Sequence, residues 1–151
     1  MIDPGMEAHI RDTAGQKLVA DYYGFRLTEL GVGTAAMEAG WEERRSHRPG
    51  LFQGTIISAL AEFAGNFAAM STLPADRRTT TIDQTIKFLT PPRGERLVAR
   101  ARILRPGRRI ISCAIEIFVE EKGSETLCAA MLQSNNVFAL DSAPAESKEG
   151  R

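Results

Sequence analysis

The sequence predicts an α+β domain in which one antiparallel β-sheet wraps around a single long helix. Three observations carry this reading. Gly54 to Thr72 is an apolar run of helical length with no internal proline. Four long runs with alternating apolar residues follow it, separated only by short Pro- and Gly-containing turns. Short turns join antiparallel neighbours, so the four runs should form a meander. A chain of 151 residues suits one compact domain.

Each element has its own signal. Residues 7–22 carry Ile10, Ala14, Leu18 and Tyr22 at four-residue spacing, the apolar stripe of a mostly polar helix, and Gly24 marks its end. Phe25 to Arg45 contains Gly31, Gly33 and Gly40, too many glycines for a long helix. Leu27, Val32 and Trp41 fit an irregular first strand with a bend. His47-Arg48-Pro49-Gly50 reads as a loop. Gly54 to Thr72 is apolar on most of its circumference, so it should be a central, buried helix that stops before Pro74. The strands are 79–89, with Ile82, Ile86 and Phe88 on one parity, then 97–104, 111–119 and 127–138. These divisions give a helical segment at 1–24, the main domain at 25–140 and a polar, disordered tail at 141–151.

Composition narrows the function. Lys plus Arg and Asp plus Glu both number 19, a zero balance that argues against bulk nucleic-acid or anionic-membrane binding. The opening residues lack a basic stretch followed by an apolar core, and the 54–73 run contains Glu62, Asn66 and hydroxyl residues, too polar for a membrane span. A cytoplasmic protein is the expectation. Cys113 and Cys128 lie in apolar runs and read as small buried hydrophobes. With His9 and His47 the only histidines and no Cys/His cluster, a zinc site is not expected.

The central helix carries the chemistry. At 100° per residue, with Glu62 at zero, Thr55 falls near +20°, Ser58 near −40° and Asn66 near +40°. The polar residues thus form one line, flanked by the small Ala59, Gly65 and Ala69. Glu62 is the only charge from Gly54 to Leu73. Such an acid is either paired, turned to solvent or a partner subunit, or a nucleophile or general base in a partly desolvated site. The start of the helix, Gln53-Gly54-Thr55, offers free N–H groups that stabilise negative charge.

These residues resemble a family. His47-x5-Gln53-Gly54-x7-Glu62, Thr81-x-Asp83-x4-Phe88-x2-Pro91, Gly94-Glu95-x-Leu97-x-Ala99-x-Ala101 and Gly107-Arg108 together resemble the hotdog-fold acyl-CoA thioesterases. The clade is that of the phenylacetate-pathway and 4-hydroxybenzoyl-CoA thioesterases, and the likeness spans roughly residues 25–139. It implies a hotdog fold, a homodimer or homotetramer, an acyl-CoA substrate, and neither metal nor redox cofactor, CoA entering as part of the substrate. By position, it implies that Glu62 is the nucleophile or general base and that the Gly54 N–H polarises the thioester carbonyl. Gln53 and His47 stand where relatives carry the helix-start His and an orienting Asn or Gln. Thr81, from the neighbouring subunit, would place water, and Asn66, one turn after the acid, would assist it. Where the family opens its helix with His-Gly-Gly, this chain has Gln53-Gly54-Thr55. The altered start leaves a non-catalytic acyl-CoA or acyl-ligand binding protein as the alternative, and a dehydratase or hydratase ranks after both. Arg105, Arg108 and Arg109 cluster at one turn and suit the CoA phosphates.

Overall fold

A computed structural model of the chain describes residues 1–16 and 18–140, apart from the side chains of Gln16, Leu18 and His47. The disordered tail expected at 141–151 lies outside the described residues. Two helices, α1 (Pro4–Gln16) and α2 (Leu18–Tyr23), precede β1 (Phe25–Gly31) and β2 (Thr34–Gly40). A 3-10 turn (Glu43–Arg45) leads into a ribbon of β3 (Ser46–Arg48) and β4 (Leu51–Phe52), then α3 (Gly54–Met70). The strands β5 (Arg77–Phe88), β6 (Arg96–Arg105), β7 (Ile110–Glu121) and β8 (Ser124–Ala139) complete the chain. The main sheet is antiparallel, in the order β1-β2-β6-β7-β8-β5, and α3 packs across its inner face.

The long helix and the four later strands form where periodicity placed them. The core explains why: Ile57, Leu60, Ala61, Ala64, Phe67 and Ala68 of α3 meet Leu97, Ala99, Ile115, Ile117 and Met131 of the sheet. The alternating strands keep one parity inward, and ten of the seventeen residues of the helix are buried.

Four expectations are corrected. The first helix starts at Pro4 and gives way to a second, and its buried stripe is Met6, Ile10, Thr13 and Ala14, while Tyr22 is exposed. The irregular first strand is a hairpin, because Gly33 adopts φ +75° in a two-residue turn and folds β2 back onto β1. His47-Arg48-Pro49-Gly50 is half strand, half turn, with Gly50 at φ +71° joining β3 to β4. Finally, only β6, β7 and β8 form the meander. β2 occupies the free side of β6, so β5 pairs with β8 at the sheet's edge.

Within β5 a bulge between Thr81 and Asp83 breaks the expected parity. Thr79 and Thr81 share the inner face with Ile86, whereas Ile82 turns outward and is exposed. The connector after β5 crosses to the other side of the sheet and passes the helix start. Phe52 N–H donates to Pro92 C=O at 3.1 Å, Gly94 N–H donates to Gly50 C=O at 3.1 Å, and Leu51 bridges Arg93. No helix among the described residues is long and apolar enough to cross a membrane.

Candidate functional site

The polar line expected along α3 is its open face. Thr55 is exposed, and Gly54, Ser58, Ala59, Glu62, Phe63 and Asn66 are half-buried, while the rest of the helix is buried. Ser58 spends its hydroxyl locally, donating to Gly54 C=O at 3.0 Å. Glu62 forms no ion pair among the described residues. It is therefore not a fully buried acid, nor one paired with a cation of the described residues.

At the helix start, Gln53 is the exposed cap residue, with φ −73° and ψ 138°, and its side chain makes no capping bond. Its carbonyl accepts from Ile56 N–H at 3.0 Å and Ile57 N–H at 3.3 Å. The Gly54 N–H has no backbone acceptor among the described residues, as expected for a first-turn donor. A Cβ built on Gly54 would stand 3.4 Å from the Phe88 ring, ordinary contact, so packing within the chain does not demand glycine there.

Asn66 sits one turn beyond Glu62, and its Oδ1 accepts a hydrogen bond from Thr79 Oγ of β5. Thr81, two residues further along β5, faces the same side but belongs to a deeper layer. Its hydroxyl donates to Asn135 Oδ1 at 3.5 Å and accepts from Gln133 Nε2 at 3.4 Å. The Gln133 amide also donates to Asn135 Oδ1 at 2.8 Å and to the Glu62 C=O at 3.5 Å. Gln133 and Asn135 are fully buried polar residues on the inner face of β8. Sequence reasoning missed both. The run Met131-Leu132-Gln133-Ser134-Asn135-Asn136 mixes polar residues on both parities, so alternation alone assigns no inward face. The pair ties the carbonyl of the acid's own residue to the sheet. Gly65 makes room for it, since a Cβ there would lie 2.9 Å from Gln133 Oε1.

Glu62 and Asn66 open onto a cleft of about 560 Å³ between α3, α1 and the adjoining ends of β5 and β8. The other expected residues stand elsewhere. Gln53 and Gly54 lie eight or more residues back along the helix, about 12 Å or more from Glu62 at 1.5 Å per residue. His47 is on β3, and its side chain lies outside what the structure describes. Arg108 and Arg109 line a groove with Arg77 beyond the far end of α3, beside Leu73 and Pro74. Arg105 ends β6, exposed, opposite Ser112. Cys113 and Cys128 are fully buried, and loss of hydration pushes both thiols up to about 11.

Residues 50–126 match the model of the thioesterase superfamily. No curated protein matches the chain. Among solved structures, the chain is similar to a thioesterase family protein from Silicibacter pomeroyi, at 22% identity and a TM-score of 0.85, covering 89% of this chain and 98% of that one. A thioesterase from Haemophilus influenzae is 22% identical, with a TM-score of 0.78 and coverage of 88% and 90%. The E. coli PaaI protein from the phenylacetic acid degradation operon is 17% identical, with a TM-score of 0.78 and coverage of 92% and 97%. At these identities the likeness is one of fold.

Proposed function

Because the chain belongs to the thioesterase superfamily and folds as a hotdog, a sheet around one long helix, we propose that it hydrolyses acyl-CoA thioesters in sites shared by two protomers. The observation that carries this reading is Glu62, an acid with no ion pair among the described residues, on the one open face of an otherwise buried helix. A carboxylate so placed is free to act, and the N–H donors of a helix start supply the other requirement of acyl transfer.

The sharing follows from distance. A carbonyl oxygen must lie about 3 Å from its N–H donor. The nucleophile must reach the same carbonyl carbon within about 3.5 Å. Gly54 and Glu62 of one helix, about 12 Å apart along its axis, do not meet both conditions. A second protomer with its α3 antiparallel would set one Gly54 beside the other's Glu62. The unpaired β5 edge, with Ile82 exposed on it, is where such a partner would continue the sheet. This supports a homodimer, alone or within a tetramer.

In the reaction, Gly54 N–H and the helix N-terminus stabilise negative charge on the thioester oxygen. Glu62 attacks the carbonyl carbon or takes a proton from the attacking water. The C–S bond breaks, CoA leaves as thiolate and is protonated, and water supplies the oxygen of the free acid. Asn66, oriented by Thr79, holds the water or the acyl oxygen beside Glu62. Gln53 donates from its exposed amide to the substrate, and Thr81 anchors the strand beneath the helix that carries Glu62. Arg77, Arg108 and Arg109 make a basic groove whose chemistry suits phosphate groups.

The test is release of free thiol from a panel of acyl-CoAs. Wild type should turn over, and Glu62→Gln should lose at least about a hundredfold in kcat, the usual scale for a positioned acid/base group. Because Glu62 is half-buried and makes no ion pair among the described residues, the variant should melt with wild type. Unchanged turnover would remove Glu62 from the mechanism. Acyl-CoA binding without thiol release would favour the non-catalytic binding protein.

A further inference from the structure

Resting on the thioesterase reading, we infer that the cleft between α1 and α3 holds the acyl group, and that it selects apolar chains of medium length. Glu62 and Asn66 stand at its head, where the thioester would react. From there Phe63, Phe67 and Met70 continue along the same helix and make its floor apolar. Glu62 to Met70 spans eight residues, about 12 Å, roughly the length of an extended chain of eight to ten carbons. Phe138 of β8 lines the cleft as well, and the volume of about 560 Å³ suits such a chain.

The opposite wall is α1, through His9 and Thr13. That wall is fixed rather than loose, because Met6 and Ile10 of α1 are fully buried in the core shared with α3. It also lies outside residues 50–126, the segment matched to the superfamily. The reacting groups thus lie within the matched segment, and the selecting wall lies outside it. Aliphatic contact on such a floor raises affinity roughly three- to fourfold for each methylene buried. Affinity should climb from acetyl to octanoyl and level off once the chain passes Met70.

The experiment measures calorimetric binding of non-hydrolysable acyl-CoA thioethers, acetyl through tetradecanoyl, to the full chain. Wild type should prefer octanoyl over acetyl by at least tenfold. His9→Trp, which fills the cleft from α1, should lower that ratio at least tenfold. Phe138→Ala, which opens it, should move the optimum to longer chains. Equal affinities along the series, or a preference that neither variant alters, overturns the inference. Should His9→Trp not fold, the half-buried Phe138→Ala position decides alone. The readout is independent of turnover: a chain-length preference without thiol release would count against hydrolysis and still support the cleft.

Discussion

Replacing Gly54 by proline removes one N–H from the helix start and disturbs little else. Proline is favoured at the first helical position, where its missing donor has no intrahelical role. The preceding Gln53 already holds the extended conformation that a proline requires of its neighbour, φ −73° and ψ 138°. The nearest atoms to an added Cβ are 3.4 Å away. The variant should therefore fold, yet lose about a hundred- to a thousandfold in kcat, the usual result of deleting an oxyanion donor. Glu62→Gln should be comparably inactive. The separation of about 12 Å between the two positions on one helix then makes a sharper prediction. In a mixed dimer of the two variants, one site takes an intact Gly54 from one protomer and an intact Glu62 from the other. The second site takes both defects. Co-expression with two affinity tags and tandem purification yields such dimers, and their activity should return to about half of wild type, since one of two symmetry-related sites is whole. Without purification, about half of the dimers are mixed and about a quarter of the activity returns. Mixed dimers as inactive as their parents would refute the sharing and require both groups to act within one chain.

The remaining predictions concern packing and titration. Gly65→Ala should destabilise by about 1 kcal/mol. The crowding of a Cβ 2.9 Å from the anchored Gln133 amide and 3.2 Å from Ile115 outweighs the gain in helix propensity, and the melting temperature should fall by about 2–4 °C. Gly15→Ala on α1, where a Cβ meets nothing within 4 Å, should instead stabilise by about 0.4–1 kcal/mol. Equal shifts for the two would disprove the packing role of Gly65. Burial raises both thiols from 9.0 to about 11, so the unfolded chain loses these protons first as pH rises. The stability due to them is intact below pH 9 and declines through pH 11, by about 2 kcal/mol per thiol at that point. Urea titrations from pH 8 to 11 on wild type and Cys113→Ala/Cys128→Ala measure the difference, and parallel curves would contradict it.

What the sequence made legible followed from local periodicity. The helix at Gly54 showed as an unbroken apolar run, and β6 and β7 as strict alternation such as Ile111, Cys113, Ile115 and Ile117. Glu62 stood out as the single charge in that helix. What stayed hidden depended on contacts distant in the chain. Nothing local says that β2 takes the free side of β6 and sends β5 to β8. The bulge at Ile82 is invisible because one extra residue looks like continued alternation until a partner strand sets the register. Gln133 and Asn135 gave no signal, because their burial rests on hydrogen bonds to Thr81 and to the Glu62 carbonyl, from two other elements. The spacing of Gly54 and Glu62 was plain in the sequence, and the length of the helix between them is what supports the proposed sharing of the site by two chains.

The crossing connector beside β4 has a consequence for biosynthesis. Helix α3 can nucleate from its own residues, but the ribbon leading into its first turn is held by Pro92, Arg93 and Gly94, about forty residues later. A chain leaves the ribosome N-terminus first, at roughly 5–20 residues per second. For several seconds the nascent chain therefore carries Glu62 on a helix whose donor end has nothing to aim it. Only when Gly94 has emerged and closed on Gly50 does that end take its final direction.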